Sequence, residues 1–284
     1  MADTDTDMTL HEAAAELGVH YMTAYRYVRH GQLQATKQRG TWRVARVDLD
    51  AFAADAAGAS ASAGTGAGTN RRQSAPWGER LEARLVAGDG TGAWGVIEAA
   101  LAAGTELDEV YLQVLSPAMA SIGERWQRGE LDISVEHRAT AIALRLVGRL
   151  GPRFARRGRP KGTVVLGSPS GEHHALAVAM LADLVRLGGW EVVDLGADLP
   201  VGSFVYAVRD TADVVAVGVS VMTDAGLAMA QETLAGLRAN IPNVLLVVGG
   251  PAVRGSEHAV ELGADATAWS AAEFVELLER YRAA

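Results

Sequence analysis

Between residues 77 and 155, apolar residues return at intervals close to 3.6. The segments WGERLEARLVAG, TGAWGVIEAALAAG, ELDEVYLQVLSPAMASIGERWQRG and SVEHRATAIALRLVGRLGPRF each keep that period. Four helices with short connections predict a bundle. After residue 161 the period is lost. TVVLG, EVVDLG, DVVAVGVS, NVLLVVGG and ATAW are apolar without polar alternation, which predicts strands buried on both faces. Helical stretches separate these runs. A repeated strand–helix order predicts a doubly wound, Rossmann-like parallel sheet, whose ligands bind beyond the carboxyl ends of the strands. The loops at that edge are 168–174, 196–200, 220–225 and 249–255.

Ahead of these segments the pattern is shorter. Thr9-Leu10-His11-Glu12 has capping-box spacing and opens a helix through Leu17. Gly18 makes a turn, and VHYMTAYRYVRHG predicts a second helix. LQATKQRGTWRVARVDLDAF then predicts a strand, a turn at Arg39-Gly40, a second strand and a short helix. The sum is a small winged helix-turn-helix over residues 8–53. Residues 54–75 are mostly Ala, Gly, Ser and Thr and predict a flexible linker. A second break, RRGRPKG at 156–162, is basic and lacks apolar periodicity. The expected organisation is multidomain α/β: winged helix-turn-helix 8–53, linker 54–75, four-helix bundle 76–157 and sheet domain 161–284.

Charge sharpens the reading of the first module. The chain carries a net charge of −8, which argues against nucleic-acid binding by the whole surface. Yet His20 to Arg46 contains Arg26, Arg29, Lys37, Arg39, Arg43 and Arg46 and no acidic residue. Local positive charge is what phosphate neutralisation requires. The second helix is expected to enter the major groove, with Tyr21, Thr23, Ala24 and Arg26 near its start. Arg29, Lys37 and Arg43 add phosphate contacts, and Arg39 sits at the wing tip. The alternative is a solvated basic face on a peptide-binding module. The module resembles the excisionase and MerR-like winged helix-turn-helix families in HEAAAELGVHYMTAYRYVRHGQL and RGTWRVARVDLDAF. Such modules act as dimers on operator DNA, which implies a homo-oligomer, a dimer or a tetramer. With no cysteine, disulfides and thiolate metal sites are excluded. No apolar run is long enough for a membrane helix and no leader is evident, so a cytoplasmic protein without a membrane partner is expected. No triad, phosphate loop or acid–base pair stands out, and independent catalysis is not expected.

The loop after the first buried strand reads SGEHHALA. His174 would stand where the chain turns into a helix. A neutral imidazole there suits a transition metal, and Glu172 is placed to orient it. A polar helix cap is the competing reading of the same residues. Ser220-Val221-Met222 and Gly249-Gly250 fall at the same edge of the sheet, and paired glycines let a large flat group approach the backbone.

Residues 163–284 resemble the cobalamin-binding domain of methionine synthase and its relatives. The motifs appear as Glu172-x-His174-x-x-Ala177, Ser220-Val221-Met222 and Gly249-Gly250. The resemblance implies that His174 is the lower cobalt ligand and that Glu172 orients it. It also implies that Ser220 contacts the nucleotide tail and that Gly249 and Gly250 line the tail's slot. Ala177 replaces a Gly and Met222 a Leu or Thr of that pattern. In the bundle, Trp126 is followed by nine residues and then Glu136-His137, with Ser134 expected to cap the helix that carries them. This signature and the module order resemble the light-sensing, adenosylcobalamin-dependent transcriptional regulators of the CarH and LitR type. That resemblance implies adenosylcobalamin, with its cobalt, as chromophore, with Trp126 over the upper corrin face. Glu136 and His137 would touch the adenosyl group or a neighbouring subunit. Photolysis would change oligomeric state and DNA binding. Gln127 departs from the His that follows this Trp in well-matched light sensors. Two other functions stay open: a light-independent sensor of cobalamin or another tetrapyrrole, and a corrinoid protein of a methyltransferase system.

Overall fold

The computed structural model describes residues 8–17, 24, 27, 28, 33–38, 41–61 and 76–283. They fall into two units that divide between Gln73 and Ser74.

The first unit is a three-stranded antiparallel sheet with flanking helices. Strand β1 (Met8–Thr9) runs directly into α1 (Leu10–Glu16). The turn is fixed by the predicted capping box: the Glu12 amide donates to Thr9 Oγ1 at 3.2 Å, and the Thr9 amide donates to Glu12 Oε2 at 2.7 Å. Strands β2 (Thr36–Gln38) and β3 (Thr41–Val44) form the wing hairpin, with Lys37 opposite Trp42, and β3 lies between β1 and β2. Leu10, Ala13, Ala24, Leu33, Val44 and Leu49 form the buried centre. Helix α2 (Arg46–Ala61) runs eight residues into the stretch expected to be linker from residue 54. Its sequence AADAAGASA explains the difference, since alanine has the highest helix propensity and needs no burial to hold the helical conformation.

The second unit opens with the bundle: α3 (Trp77–Ala87), α4 (Gly90–Ala102), α5 (Leu107–Glu109), α6 (Ser116–Gln127) and α7 (Ile133–Leu150). A π-helical turn, Val110–Leu115, joins α5 to α6, so the two read as one long element. Two of the starts are fixed by an aspartate cap. Asp89 accepts from the Gly92 amide at 2.7 Å and caps α4. Asp132, not the expected Ser134, caps α7: its carboxylate accepts from the Ser134 amide at 2.8 Å, which places Ser134 inside the first turn.

The sheet follows. Its strands are β4 (Thr163–Gly167), β5 (Glu191–Asp194), β6 (Val214–Ser220), β7 (Leu245–Gly249) and β8 (Ala266–Ala268), all parallel in the order β5-β4-β6-β7-β8. Helices α8 (Ala175–Leu187), α9 (Val201–Asp210), α10 (Leu227–Asn240), α11 (Ser256–Glu261) and α12 (Ala271–Ala283) alternate with them. Alternate residues of each strand enter opposite cores. Val165, Val217 and Val248 pack with Phe204 and Leu234 of α9 and α10. Val164, Leu166 and Val247 pack with Val178 of α8 and Phe274 of α12. Burial on both faces is why these strands show no polar alternation.

Helix α8 is apolar around most of its circumference because it serves two cores. Val178, Ala182 and Val185 face the sheet, while Met180 is buried in the bundle core and Leu176, Ala179, Leu184 and Leu187 pack against it. One polar contact crosses this seam. The Tyr111 hydroxyl, in the π-helical turn, donates to Asp183 Oδ2 at 2.7 Å, and Arg186 donates to Asp183 Oδ1 at 2.9 Å. Tyr111 also stacks on Phe154 at 4.6 Å between ring centroids.

Candidate functional site

The β4–α8 loop brings the histidines to the carboxyl edge of the sheet. His174 occupies the N-cap position of α8, yet its side chain makes no cap hydrogen bond. Its Nδ1 instead pairs with Glu172 Oε1. The polar-cap reading of this loop therefore does not describe the geometry. Glu172 is almost fully buried, while the His174 side chain is about half exposed. The other Glu172 oxygen, Oε2, accepts from the amides of Met222 at 2.8 Å and Thr223 at 3.1 Å. Burial alone pushes this carboxyl up, but the hydrogen bonds from His174, Met222 and Thr223 outweigh it and hold Glu172 below the usual glutamate range. An ionised carboxylate only accepts, so Nδ1 is the donor of this pair, and in the neutral imidazole Nε2 is the nitrogen left with a lone pair.

The loop itself is held by Asp198, a residue the sequence did not single out. Asp198 adopts left-handed φ of 60°. Its carboxylate accepts from the Gly171 amide at 2.8 Å, and its amide donates to the Glu172 carbonyl at 2.9 Å. The available signal was an acidic residue in the 196–200 loop, one of the four at the ligand edge. His173 points elsewhere, three-quarters exposed, with Nδ1 3.9 Å from Asp198 Oδ2.

A cleft of about 170 Å³ opens beside this loop, on the α8 and α12 face of the sheet. Ser220, Met222, Gly249, Gly250 and Ala177 all line it, together with Trp269 and Phe274. Three separate motifs of the sequence thus meet in one place, and the β8–α12 wall containing Trp269 was not anticipated. The glycines have a second cause. Gly250 has φ of 111°, and a Cβ there would collide with the Val221 carbonyl oxygen; at Gly249 a Cβ would lie 2.9 Å from the Ala268 carbonyl oxygen. The floor of the cleft is bare backbone because the strand ends cross too closely to admit side chains.

In the bundle, Trp126 and the Glu136-His137 pair flank the α6–α7 connection. Trp126 is 41% exposed at the end of α6, an unusual position for so large an apolar group. Glu136 Oε2 pairs with His137 Nδ1 at 2.7 Å, and Thr140 Oγ1 donates to Glu136 Oε1 at 2.8 Å. No hydrogen bond or ring contact among the described residues joins Trp126 to Glu136 or His137. Gln127 is the last residue of α6 and exposed.

What could the edge hold? Among the described residues no three His, Cys, Asp or Glu side chains gather to bind a metal ion unaided. One open imidazole nitrogen is a single ligand. A metal taken there must bring its remaining donors in a carrier of its own, and the cleft beside this loop, with bare backbone at Gly249 and Gly250, has room for part of such a carrier.

In the first unit, Tyr21, Thr23, Arg26, Arg29 and Arg39 lie outside the described residues, as does the Lys37 side chain. Arg43 is paired in register with Thr9 and Thr36 on β3. Arg46, counted within the basic window, forms ion pairs with Glu16 at 2.9 Å and Asp50 at 3.3 Å, so it belongs to the head's own structure. No helix among the described residues is long and apolar enough to cross a membrane.

Comparison with known proteins fits these sites. Residues 162–278 match a B12 binding domain family, residues 77–150 a second family of the same description, and residues 8–57 a helix-turn-helix domain family. The chain is 30% identical over 189 residues to trimethylamine corrinoid protein 1 of Methanosarcina acetivorans, covering 63% of this chain and 85% of that protein. It is 32% identical over 198 residues to the HTH-type transcriptional repressor CarH of Myxococcus xanthus, covering 67% of this chain and 63% of that protein. The fold is that of the Methanosarcina barkeri monomethylamine corrinoid protein, with a TM-score of 0.63 over 72% of this chain and 98% of that one, at 21% identity. With a half-exposed imidazole beside a cleft floored by paired glycines and two B12 binding domains in tandem, this chain belongs to the cobalamin-binding corrinoid protein family and carries a helix-turn-helix domain at its amino-terminal side.

Proposed function

We propose that this protein is a transcriptional regulator that binds adenosylcobalamin and responds to light. The observation that carries the reading is the helix-turn-helix domain on the same chain as the paired B12 binding domains, an order that a carrier of methyl groups has no use for. His174 Nε2 would serve as the lower ligand, oriented by Glu172, and the cleft at Ser220, Met222, Gly249 and Gly250 would take the nucleotide tail. Trp126, Glu136 and His137 would close the upper side. When bound, the group supplies a cobalt–carbon bond that light can break. The protein's part is to contact the intact and cleaved forms unequally and so bias a two-state assembly. Two or more heads held in one assembly bind operator DNA with avidity that a single head lacks.

The test is the purified chain loaded with adenosylcobalamin, its absorption spectrum and duplex binding recorded in the dark and after green illumination. The expected result is a spectral change with a fall in DNA affinity. Equal DNA binding in both conditions overturns the light response, and failure to take up adenosylcobalamin overturns the choice of cofactor form. A second reading is supported by the 85% coverage of a trimethylamine corrinoid protein. In it the chain carries methyl groups for a methyltransferase, and methyl transfer to its bound cobalamin would be the finding that favours it.

A further inference from the structure

The basic break at 156–162 belongs to a larger feature. Residues 137–171 contain eight Arg or Lys and no Asp or Glu, in a chain whose net charge is −8. Arg138, Arg145 and Arg149 are spaced seven and four apart, which places them on one face of α7. The line continues through the 3-10 turn Gly151–Arg153 into the loop that holds Arg156, Arg157 and Arg159.

Two of the eight are used by the fold. Arg138 donates to the Val86 carbonyl at 2.7 Å, and Lys161 is paired with Glu279. Arg149 lies 3.6 Å over the Trp94 ring, which fixes its position and leaves its charge in place. Arg145, Arg153, Arg156, Arg157 and Arg159 are exposed, and no ion pair or hydrogen bond among the described residues holds them. Like charges this dense repel one another, so leaving them unpaired is costly unless an anion is shared. All six uncommitted cations are arginines, whose planar fork binds phosphate oxygens two at a time. The loop leads into the amino end of β4, so it lies at the edge of the sheet opposite the cobalamin site.

We propose that this stripe, from Arg145 to Arg159, is a second DNA-contacting surface that grips duplex phosphates independently of the helix-turn-helix head. The proposal rests on the reading that the chain binds DNA. An extended cation row suits a polyanion better than a single phosphate, and contacts to phosphate carry no sequence information. The stripe therefore adds affinity and salt dependence rather than operator choice.

The experiment uses the full cobalamin-loaded chain and a labelled mixed-sequence duplex. Affinity is measured over a series of salt concentrations for the wild type, the triple variant Arg156→Gln, Arg157→Gln, Arg159→Gln, and the corresponding triple Lys variant. Retained cobalamin absorption reports folding. Each lost phosphate contact should lower the slope of log affinity against log salt by roughly 0.9, so the Gln variant is expected to lose up to about 2.7 of the slope and at least about tenfold in affinity at low salt. The Lys variant should keep the slope. An unchanged slope in the Gln variant, with wild-type binding intact, overturns the stripe while leaving the DNA reading standing. The same outcome with altered sedimentation would assign these arginines to a protein contact instead. A wild type without affinity for any duplex overturns both.

Discussion

The Glu172 carboxylate accepts from the Met222 amide at 2.8 Å although the two residues are fifty positions apart. This bond ties the β4–α8 loop to the end of β6 and leaves the opposite oxygen for His174. Because the folded-state value of Glu172 lies below the ordinary glutamate value of about 4.3, its stabilisation is fully present above that value and is lost as pH falls through the lower, folded one. The wild-type chain should therefore lose urea resistance across the acid range. Glu172→Gln should lack that component and should cost roughly 1–3 kcal/mol near neutrality, because an amide cannot accept from the Met222 and Thr223 amides and from His174 at once. Urea midpoints against pH check it, and identical pH profiles for the two chains would contradict it.

His174→Ala should abolish or greatly weaken cobalamin retention after gel filtration. His173→Ala should not, since that ring points away from Glu172 and is mostly exposed. His173→Ala should move apo stability by no more than about 0.5 kcal/mol, the usual range for exposed positions, whereas His174→Ala should cost roughly 1–3 kcal/mol because it strips a partner from the buried Glu172 carboxylate. Loss of retention in the His173 variant alone would reverse the assignment.

The Tyr111–Asp183 bond joins bundle to sheet through α8, the helix that His174 begins. Nine residues separate His174 from Asp183, a rise of about 14 Å along one rigid element. Burial, reinforced by the Asp183 carboxylate, drives the Tyr111 phenol far above its ordinary range, so the hydroxyl stays a donor at any working pH. Tyr111→Phe should cost about 1.5–3 kcal/mol, the worth of a hydrogen bond to a charged group. Asp183→Ala should cost at least as much, leaving the phenol only the Val147 carbonyl at 3.4 Å. The double variant should cost less than the sum of the two, and strict additivity in denaturant titrations would show that the pair does not interact.

The strands were legible in the sequence because burial on both faces erases polar alternation, and the loops at their ends followed from the parallel order. His174 was singled out as well, but what orients it was only half visible. Glu172 sits two residues away, whereas its other partners, the Met222 and Thr223 amides, are backbone groups that no side-chain pattern reports. Asp198 escaped because its role depends on a left-handed conformation that the sequence did not announce. Gly249 and Gly250 were expected to make room for a ligand, and the crossing of Val221 and Ala268 against them is a tertiary fact. The Ser134 cap failed because Asp132 stands two residues earlier and accepts from the Ser134 amide itself, so the helix begins before Ser134. The helix beyond residue 54 reads as linker because alanine, glycine and serine offer little apolar surface to a core, although alanine favours a helix all the same.

The π-helical turn at Val110–Leu115 holds one residue more than an α-turn would. It therefore sets the rotational phase between Tyr111, turned toward Asp183, and Trp126, exposed at the far end of the same long element. Deleting one residue of α6 beyond it, where the winding is ordinary, would swing Trp126 by about 100°. The seam with the sheet would survive, and Trp126 would face a different neighbour. The direction in which this tryptophan points is thus written as a count of the residues between it and Tyr111, and a protein of this kind could redirect it by insertion or deletion without altering a single side chain at the site.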